Sequence, residues 1–157
     1  MKRLLATDQN NWTSLIARLT LGIVVFPHGA QKLLGWFGGH GFTNTINAMT
    51  NMMNLPWIIA FLVIIIESLG AIAILVGVAT RFVAIALLFM FIGIILHSHI
   101  DNGFFMNWRM MPDQPEGFEF HLLIIGLCIV LIVAGGGKWS VDGALHGSHT
   151  RRPAMAV

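Results

Sequence analysis

The chain has 157 residues, of which 56% are hydrophobic and only 10% are charged, and its mean hydropathy is +0.78. Soluble domains carry about 25% charged residues, so this composition excludes a water-facing globular surface and predicts an integral membrane protein. The formal net charge of +2 is too small to indicate a nucleic-acid partner, and the single cysteine, Cys128, excludes an intramolecular disulfide.

Four apolar runs along the chain are long enough to cross a bilayer, which takes about 17 to 25 residues in a helix. We predict membrane spans over residues 13–34, 57–78, 82–100 and 118–134. All five tryptophans lie at or just beyond the ends of these runs, as expected for indole rings that prefer the headgroup layer. The runs therefore predict an all-α fold, an integral membrane four-helix bundle, in which residues 1–157 form a single transmembrane domain.

The basic residues predict how the bundle is oriented. Six of them fall in the N-terminal segment, between the second and third spans, or after the fourth span: Lys2, Arg3, Arg81, Lys138, Arg151 and Arg152. In a four-span protein these three segments lie on the same side of the bilayer. Because loops rich in Lys and Arg stay in the cytoplasm, we expect both termini to be cytoplasmic.

The two loops on the opposite, outer side have different patterns. In the first, Phe42, Ile46, Met49 and Met53 recur at helical spacing with Asn and Thr between them, which predicts a short helix on the membrane interface. The second loop, residues 102–117, is rich in aromatic residues, Met and Pro. It is either a lid over the mouth of the bundle or a connector.

Polar and ionisable side chains concentrate in the outer half of the predicted bundle. At about 1.5 Å per residue, His28 falls in the outer half of the first span, and Glu67 lies about 15 Å into the second span, near the midplane. The side chains expected to share this region are His28, Gln31, Lys32, Glu67, His97, Asp101 and His121. The first three follow one another at i, i+3 and i+4 and so share a helix face. This distribution predicts a polar pocket that opens to the outer side.

Glu67 and His28 are the candidate catalytic residues, because a carboxyl and an imidazole in an apolar pocket can hold and transfer protons. The expected ligand-binding residues are Gln31, Lys32, His97, Asp101 and His121. An acid in mid-membrane costs roughly 2.5–3.5 kcal/mol on insertion scales and is a functional candidate by default. A structural alternative stays open, in which Glu67 and His28 hydrogen-bond neighbouring helices and Lys32 extends its ammonium to the interface.

The chemistry of this predicted pocket suits a small redox-active or aromatic ligand such as a quinone. Histidines and a carboxylate are also adequate ligands for zinc, iron or copper, and two facing histidines for haem. The chain has no HExxH or CxxC signature, so its residues favour a quinone over a metal or haem and leave the identity of any metal unknown. It also has no nucleotide-binding loop and no nucleophile elbow.

Four stretches of the chain carry a resemblance to a known family. They are ARLTLGIVVFPHGAQKLLGWFGGHG, IESLGAIAILVGVATR, HSHIDNGFF and GGGKWSVDGAL. With them the chain resembles the DoxX family of small four-helix bacterial membrane proteins, over residues 14–145. The residues that fall on positions typical of the family are Arg18, His28, Gly29, Lys32, Glu67, Arg81 and His97.

The resemblance implies a multi-pass protein of the bacterial cytoplasmic (inner) membrane that is linked to electron transfer. Family members are associated with quinol oxidase and thiosulfate:quinone oxidoreductase activities and with thiol and oxidative-stress systems. We therefore expect a bilayer protein that binds a quinone or similar ligand, alone, as a homo-oligomer, or with an oxidoreductase partner. Whether the chain is itself an enzyme stays open. The alternatives are a non-enzymatic scaffold or assembly partner and a small transporter, which the lack of broken helices and internal repeats disfavours.

Overall fold

The computed structural model describes residues 7–146, and its regular structure in that range is helical throughout. Within these residues, six helices follow one another. They are Trp12–Leu34 (α1), Gly41–Asn51 (α2), Trp57–Val76 (α3), Thr80–Asn102 (α4), Glu119–Ala134 (α5) and Val141–His146 (α6). The predicted all-α bundle is confirmed, and the helix expected in the first outer loop is present as α2.

Within residues 7–146, three helices are long and apolar enough to cross a membrane, namely α1, α3 and α4. The fourth predicted span corresponds to α5, a shorter apolar helix of 16 residues. At about 1.5 Å per residue it extends about 24 Å, less than the hydrocarbon core of about 30 Å. The predicted orientation depends mainly on residues that lie outside the described range: Lys2, Arg3, Arg151 and Arg152. The orientation therefore stays a prediction.

Helix α1 has defined signals at both ends. At its start, the side chain of Asn11 accepts a hydrogen bond from the backbone N–H of Ser14 at 3.1 Å, which caps the first turn. At its end, Gly35 adopts a left-handed conformation with φ +74°, and its N–H bonds to the carbonyl of Ala30. Lys32 lies in the last turn, where a cation interacts favourably with the helix dipole.

Helices α1, α3, α4 and α5 pack as a closed ring. Helix α1 contacts α3 on one side and α5 on the other, α5 contacts α4, and α4 returns to α3. The core between them is formed by aliphatic side chains from all four helices, including the fully buried Leu21, Ile74, Leu87 and Leu131. Burial of this apolar surface stabilises the packing among the four helices.

The backbones of α1 and α3 lie in contact because glycines face the interface. A Cβ at Gly29 would lie 2.2 Å from the carbonyl oxygen of Glu67, and one at Gly22 would lie 2.5 Å from Cγ of Leu75. Small residues allow such close helix pairs in membranes. Lys32, three residues after Gly29, shares the face that contacts α3.

Two of the membrane-spanning helices contain a π-helical turn, Ile66–Gly70 in α3 and Ile95–His99 in α4. Such turns insert one extra residue into the helix and occur frequently at functional sites. The turn in α3 carries Glu67, and the turn in α4 carries His97. The part of α3 before its π turn, Trp57–Ile65, has few contacts with α4, so the two helices diverge toward the end at which α3 begins.

The loop between α4 and α5 is held to the ends of both helices by two glutamates. The backbone carbonyl of Glu116 accepts a hydrogen bond from Nδ1 of His99 at 2.7 Å. The side-chain Oε2 of Glu116 accepts one from the backbone N–H of Asn107 at 2.8 Å. Oε1 of Glu119 accepts a bond from the N–H of Met106 at 3.1 Å. These bonds give the second outer loop the character of an ordered connector.

At the opposite end of the bundle, Arg18 joins α1 to the segment after α5. Its side chain is 1% exposed, and Nη2 donates to the carbonyls of Lys138 at 3.1 Å and Trp139 at 3.3 Å. The Asp142 carboxylate caps α4 by accepting a bond from the N–H of Thr80 at 2.7 Å. The start of α1, the α3–α4 turn and the end of α5 therefore meet at one end of the molecule.

Candidate functional site

The site is built around an ion pair between two helices. Nζ of Lys32, in the last turn of α1, donates to Oε2 of Glu67, in the π turn of α3. The Glu67 side chain is 5% exposed and the Lys32 side chain is 25% exposed. The close contact at Gly29 holds the two helix backbones at the distance that this pair requires. A buried carboxylate without such a partner would be strongly unfavourable.

A cavity of about 630 Å³ lies beside the ion pair, between the diverging parts of α3 and α4. This volume is within the usual range for small-molecule sites, about 300–1,000 Å³. The polar side chains on its wall are Lys32, Glu67, His97, Ser98 and His99, and the remaining wall is made of aliphatic residues, Met, Phe and Gly. An apolar slot with a few polar groups at one wall is typical of sites that bind small, mostly apolar molecules.

The end of α2 and the segment that follows it cover one side of the cavity, with Met49 and Met53 in its wall. Nε2 of His97 lies 3.1 Å from the carbonyl oxygen of Met53. Because a carbonyl can only accept a hydrogen bond, Nε2 of His97 carries the proton in this contact. His97 therefore links α4 to the segment that covers the cavity, and the second outer loop, the alternative lid, is not part of the wall.

Of the three polar residues near the end of α1, the structure places only Lys32 at the cavity. His28 is exposed on α1 and does not line the cavity. Gln31 donates from Nε2 to the carbonyl of Phe37 at 3.3 Å and so closes the turn that follows the helix. Lys32 lies on the face of α1 that contacts α3, and its flexible stem reaches Glu67 from there. His28 lies off that face.

The two remaining predicted ligand-binding residues also lie outside the cavity wall. Asp101 is exposed at the end of α4. His121 is buried, 8% exposed, with its ring 4.4 Å from the ring of His99 and 5.8 Å from that of Phe91. The structure therefore brings Lys32, Glu67 and His97 together at one cavity and separates His28, Gln31, Asp101 and His121 from it. In the described part of the chain, no group of three or more His, Cys, Asp or Glu side chains is arranged to hold a metal ion.

Several residues of the cavity wall were not predicted from the sequence. Phe89, Met90 and Gly93 form the α4 side of the cavity, and Ser98 and His99 extend it. The first three belong to a continuous apolar run, in which nothing distinguishes a cavity wall from a lipid-facing surface. The signal available for the other two was their place beside His97, in the HSHID segment.

The fold and the site define a small helical membrane protein with a buried ion pair at the wall of an apolar cavity. Comparison with known proteins gives its family. The DoxX family model matches residues 13–100, a range that contains Lys32, Glu67 and His97, and the chain belongs to this family. The resemblance seen in the sequence is thereby confirmed.

Two curated relatives match most of the chain. It is 30% identical over 129 residues to the Bacillus subtilis (strain 168) protein named "Putative oxidoreductase CatD", covering 82% of this chain and 84% of the relative. It is 26% identical over 133 residues to the Escherichia coli (strain K12) protein named "Inner membrane protein YphA", covering 82% of this chain and 86% of the relative. No solved structure is significantly similar to the chain.

Proposed function

We propose that the protein is a multi-pass protein of the bacterial cytoplasmic membrane that serves redox chemistry by binding a quinone or similar small ligand in the α3–α4 cavity. It would act alone or as a subunit of an oxidoreductase. The observation that carries this proposal is the cavity of about 630 Å³ with the Lys32–Glu67 ion pair in its wall. The oxidoreductase in the name of the Bacillus relative supports the redox assignment.

The wall residues suit a ligand whose polar groups are oxygens. The Lys32 ammonium has three N–H donors and uses one on Glu67, so it can also donate to a ligand carbonyl. The ion pair uses Oε2 of Glu67. The other carboxylate oxygen can accept a hydrogen bond from a ligand hydroxyl, or can bind a proton. Electrons for any reduction would come from the oxidoreductase partner, since the chain carries no dithiol motif of its own.

The end of the bundle that carries Arg81 and Lys138 supports the proposed orientation. The ammonium of Lys138 lies 4.0 Å from the ring centre of Trp12, and the Trp12 and Trp139 rings are 5.5 Å apart. Such a group of indoles and cations is typical of a membrane interface, and cations favour the cytoplasmic side. The relative named an inner membrane protein supports the same location.

The test is mass spectrometry with elemental analysis of the detergent-purified protein, beside Glu67→Gln. His28→Ala is the matched control, because His28 is polar, on a spanning helix and outside the cavity. We expect a bound quinone-like molecule that is lost in Glu67→Gln and retained in His28→Ala. If neither the unmodified protein nor His28→Ala carries an organic ligand when extracted from membranes rich in quinone, the proposal is contradicted.

A second function, that of a scaffold, is favoured by the surface of the second outer loop. Phe105, Trp108 and Met110 are 70%, 73% and 87% exposed there, which is unusual for a loop that has only water to contact. Either the membrane headgroup layer or a partner protein would cover these side chains, and co-purification distinguishes the two. Co-purification of a stoichiometric partner that is lost in Trp108→Ser, with an empty cavity, would favour the scaffold over the ligand-binding function.

A further inference from the structure

The cavity reaches the side of the bundle through the gap between α3 and α4. Three of its wall residues, Ile59, Leu62 and Phe89, are 42%, 41% and 67% exposed. All three lie in helices that are long and apolar enough to cross a membrane. Exposed side chains at this position face lipid hydrocarbon, so the gap opens toward the bilayer and not only toward water.

The charges of the wall restrict the head of the ligand. Lys32 and Glu67 neutralise one another, and both lie where α1 approaches α3. A ligand with a net charge would have to separate this pair or bring a counterion into an apolar surrounding. A neutral head with carbonyl or hydroxyl oxygens can bond to the pair without separating it, and the rest of the wall accepts an apolar body.

We infer that the gap between α3 and α4 is a lateral portal and a subsite for an apolar tail. The ligand is then a neutral amphiphile dissolved in the bilayer: its oxygen-bearing head lies against Lys32 and Glu67, and its alkyl or isoprenyl tail leaves past Leu62 and Gly93 into the hydrocarbon. This inference rests on the proposed function, because it requires that the cavity bind the head.

Gly93 is the residue that keeps the portal open. It lines the cavity from α4, and a Cβ built on it would have no heavy atom within 4 Å. Glycine weakens a helix interior, and no close neighbour requires it here. A larger side chain at Gly93 would therefore fit the fold and fill the gap. Gly126 on α5 has the same empty surroundings but lies outside the cavity wall, so it supplies the matched control.

The experiment measures equilibrium binding in lipid nanodiscs, corrected with empty nanodiscs, for two probes that share one benzoquinone ring. One probe carries a decyl tail and the other a methyl group. We expect Gly93→Leu to weaken binding of the decyl probe by about tenfold or more and of the methyl probe by less than about threefold. Gly126→Leu should bind both probes like the unmodified protein.

Photo-cross-linking gives a second readout, with a diazirine at the end of the decyl tail. The expected cross-links are to residues of α3 and α4 around Leu62 and Phe89. If both probes bind in a way that depends on Lys32 but not on Gly93, and the cross-links lie under α2, the portal is overturned and the proposed function stays intact. Binding of neither probe would overturn both. Displacement of the decyl probe by decanol but not by the methyl probe would make the gap a lipid site and overturn the inference.

Discussion

The ion pair between Lys32 and Glu67 leads to the most quantitative prediction. Lys32→Met removes the ammonium but keeps an unbranched stem of similar length, so the packing against α3 is preserved. The Glu67 side chain, 5% exposed, is then a carboxylate without its partner. Removing one member of a buried pair costs about 3–5 kcal/mol, because the remaining charge has neither water nor a counterion.

The double variant tests the same ion pair with both charges replaced. Lys32→Met with Glu67→Gln replaces both charges, and no unpaired ion remains in the interior. We expect this variant to recover most of the stability lost in Lys32→Met, because replacement of a whole buried pair is often close to neutral. A double-mutant cycle on unfolding in mixed detergent micelles gives the coupling free energy, which we expect to exceed about 2 kcal/mol.

Two results would refute the reasoning. One is a Lys32→Met protein within about 0.5 kcal/mol of the unmodified chain, and the other is a cycle without coupling. Either would mean that Lys32 interacts chiefly with the interface, the snorkelling alternative for this side chain. Arg109→Met, a change of charge at an exposed position of the loop between α4 and α5, controls for the general effect of removing a cation.

Three further predictions concern packing, capping and the cover of the cavity. Gly29→Ala should destabilise the bundle by about 1–3 kcal/mol in the same unfolding assay, because its Cβ would lie 2.2 Å from the Glu67 carbonyl oxygen; Gly126→Ala should be neutral or stabilising, and equal effects would contradict the close contact. Asp142→Ala should cost about 0.5–2 kcal/mol by removing the cap of α4, seen as faster amide exchange at the start of that helix, and unchanged exchange would argue against the cap. His97→Phe should speed dissociation of the decyl probe in a chase experiment, because the bond to the α2 segment is lost; an unchanged rate would show that this bond does not close the cavity.

The membrane-spanning helices were predictable because their cause is local. The runs predicted at 13–34 and 82–100 appear as Trp12–Leu34 and Thr80–Asn102, since an uninterrupted apolar run has one stable form in hydrocarbon, the helix. The sequence also indicates where α1 ends, because Gly35 follows the apolar run and adopts the left-handed conformation that ends helices.

The pairing within the site was not predictable from composition or spacing. Lys32 and Glu67 were both candidates, but they are 35 positions apart, and only the packing of α1 on α3 joins them. A usable signal was present in the two glycines of α1. Gly22 and Gly29 mark the face that contacts α3, and Lys32 lies on that face whereas His28 does not.

The cavity itself depends on features that have no sequence signature. The π turns at Ile66–Gly70 and Ile95–His99 change the direction of the side chains that follow them, so ideal helical periodicity misplaces those side chains. His121 was assigned to the pocket by its depth, and depth does not show on which side of a helix a residue lies. Asp101 was assigned by its depth and by its spacing of four residues from His97, and the π turn at Ile95–His99 breaks that spacing. The sequence therefore could not show which side chains at the ends of α4 and α5 face the cavity.

The most direct test of the ligand site is binding of the decyl-tailed benzoquinone to the Lys32→Met, Glu67→Gln double variant in nanodiscs. The two substitutions replace only the charged pair at the cavity wall and leave the other lining residues unchanged. We expect saturable binding at about one probe per chain in the unmodified protein, and affinity reduced by at least about tenfold in a double variant that remains folded. Equal affinity in the two proteins would contradict the claim that this ion pair and cavity form the ligand site.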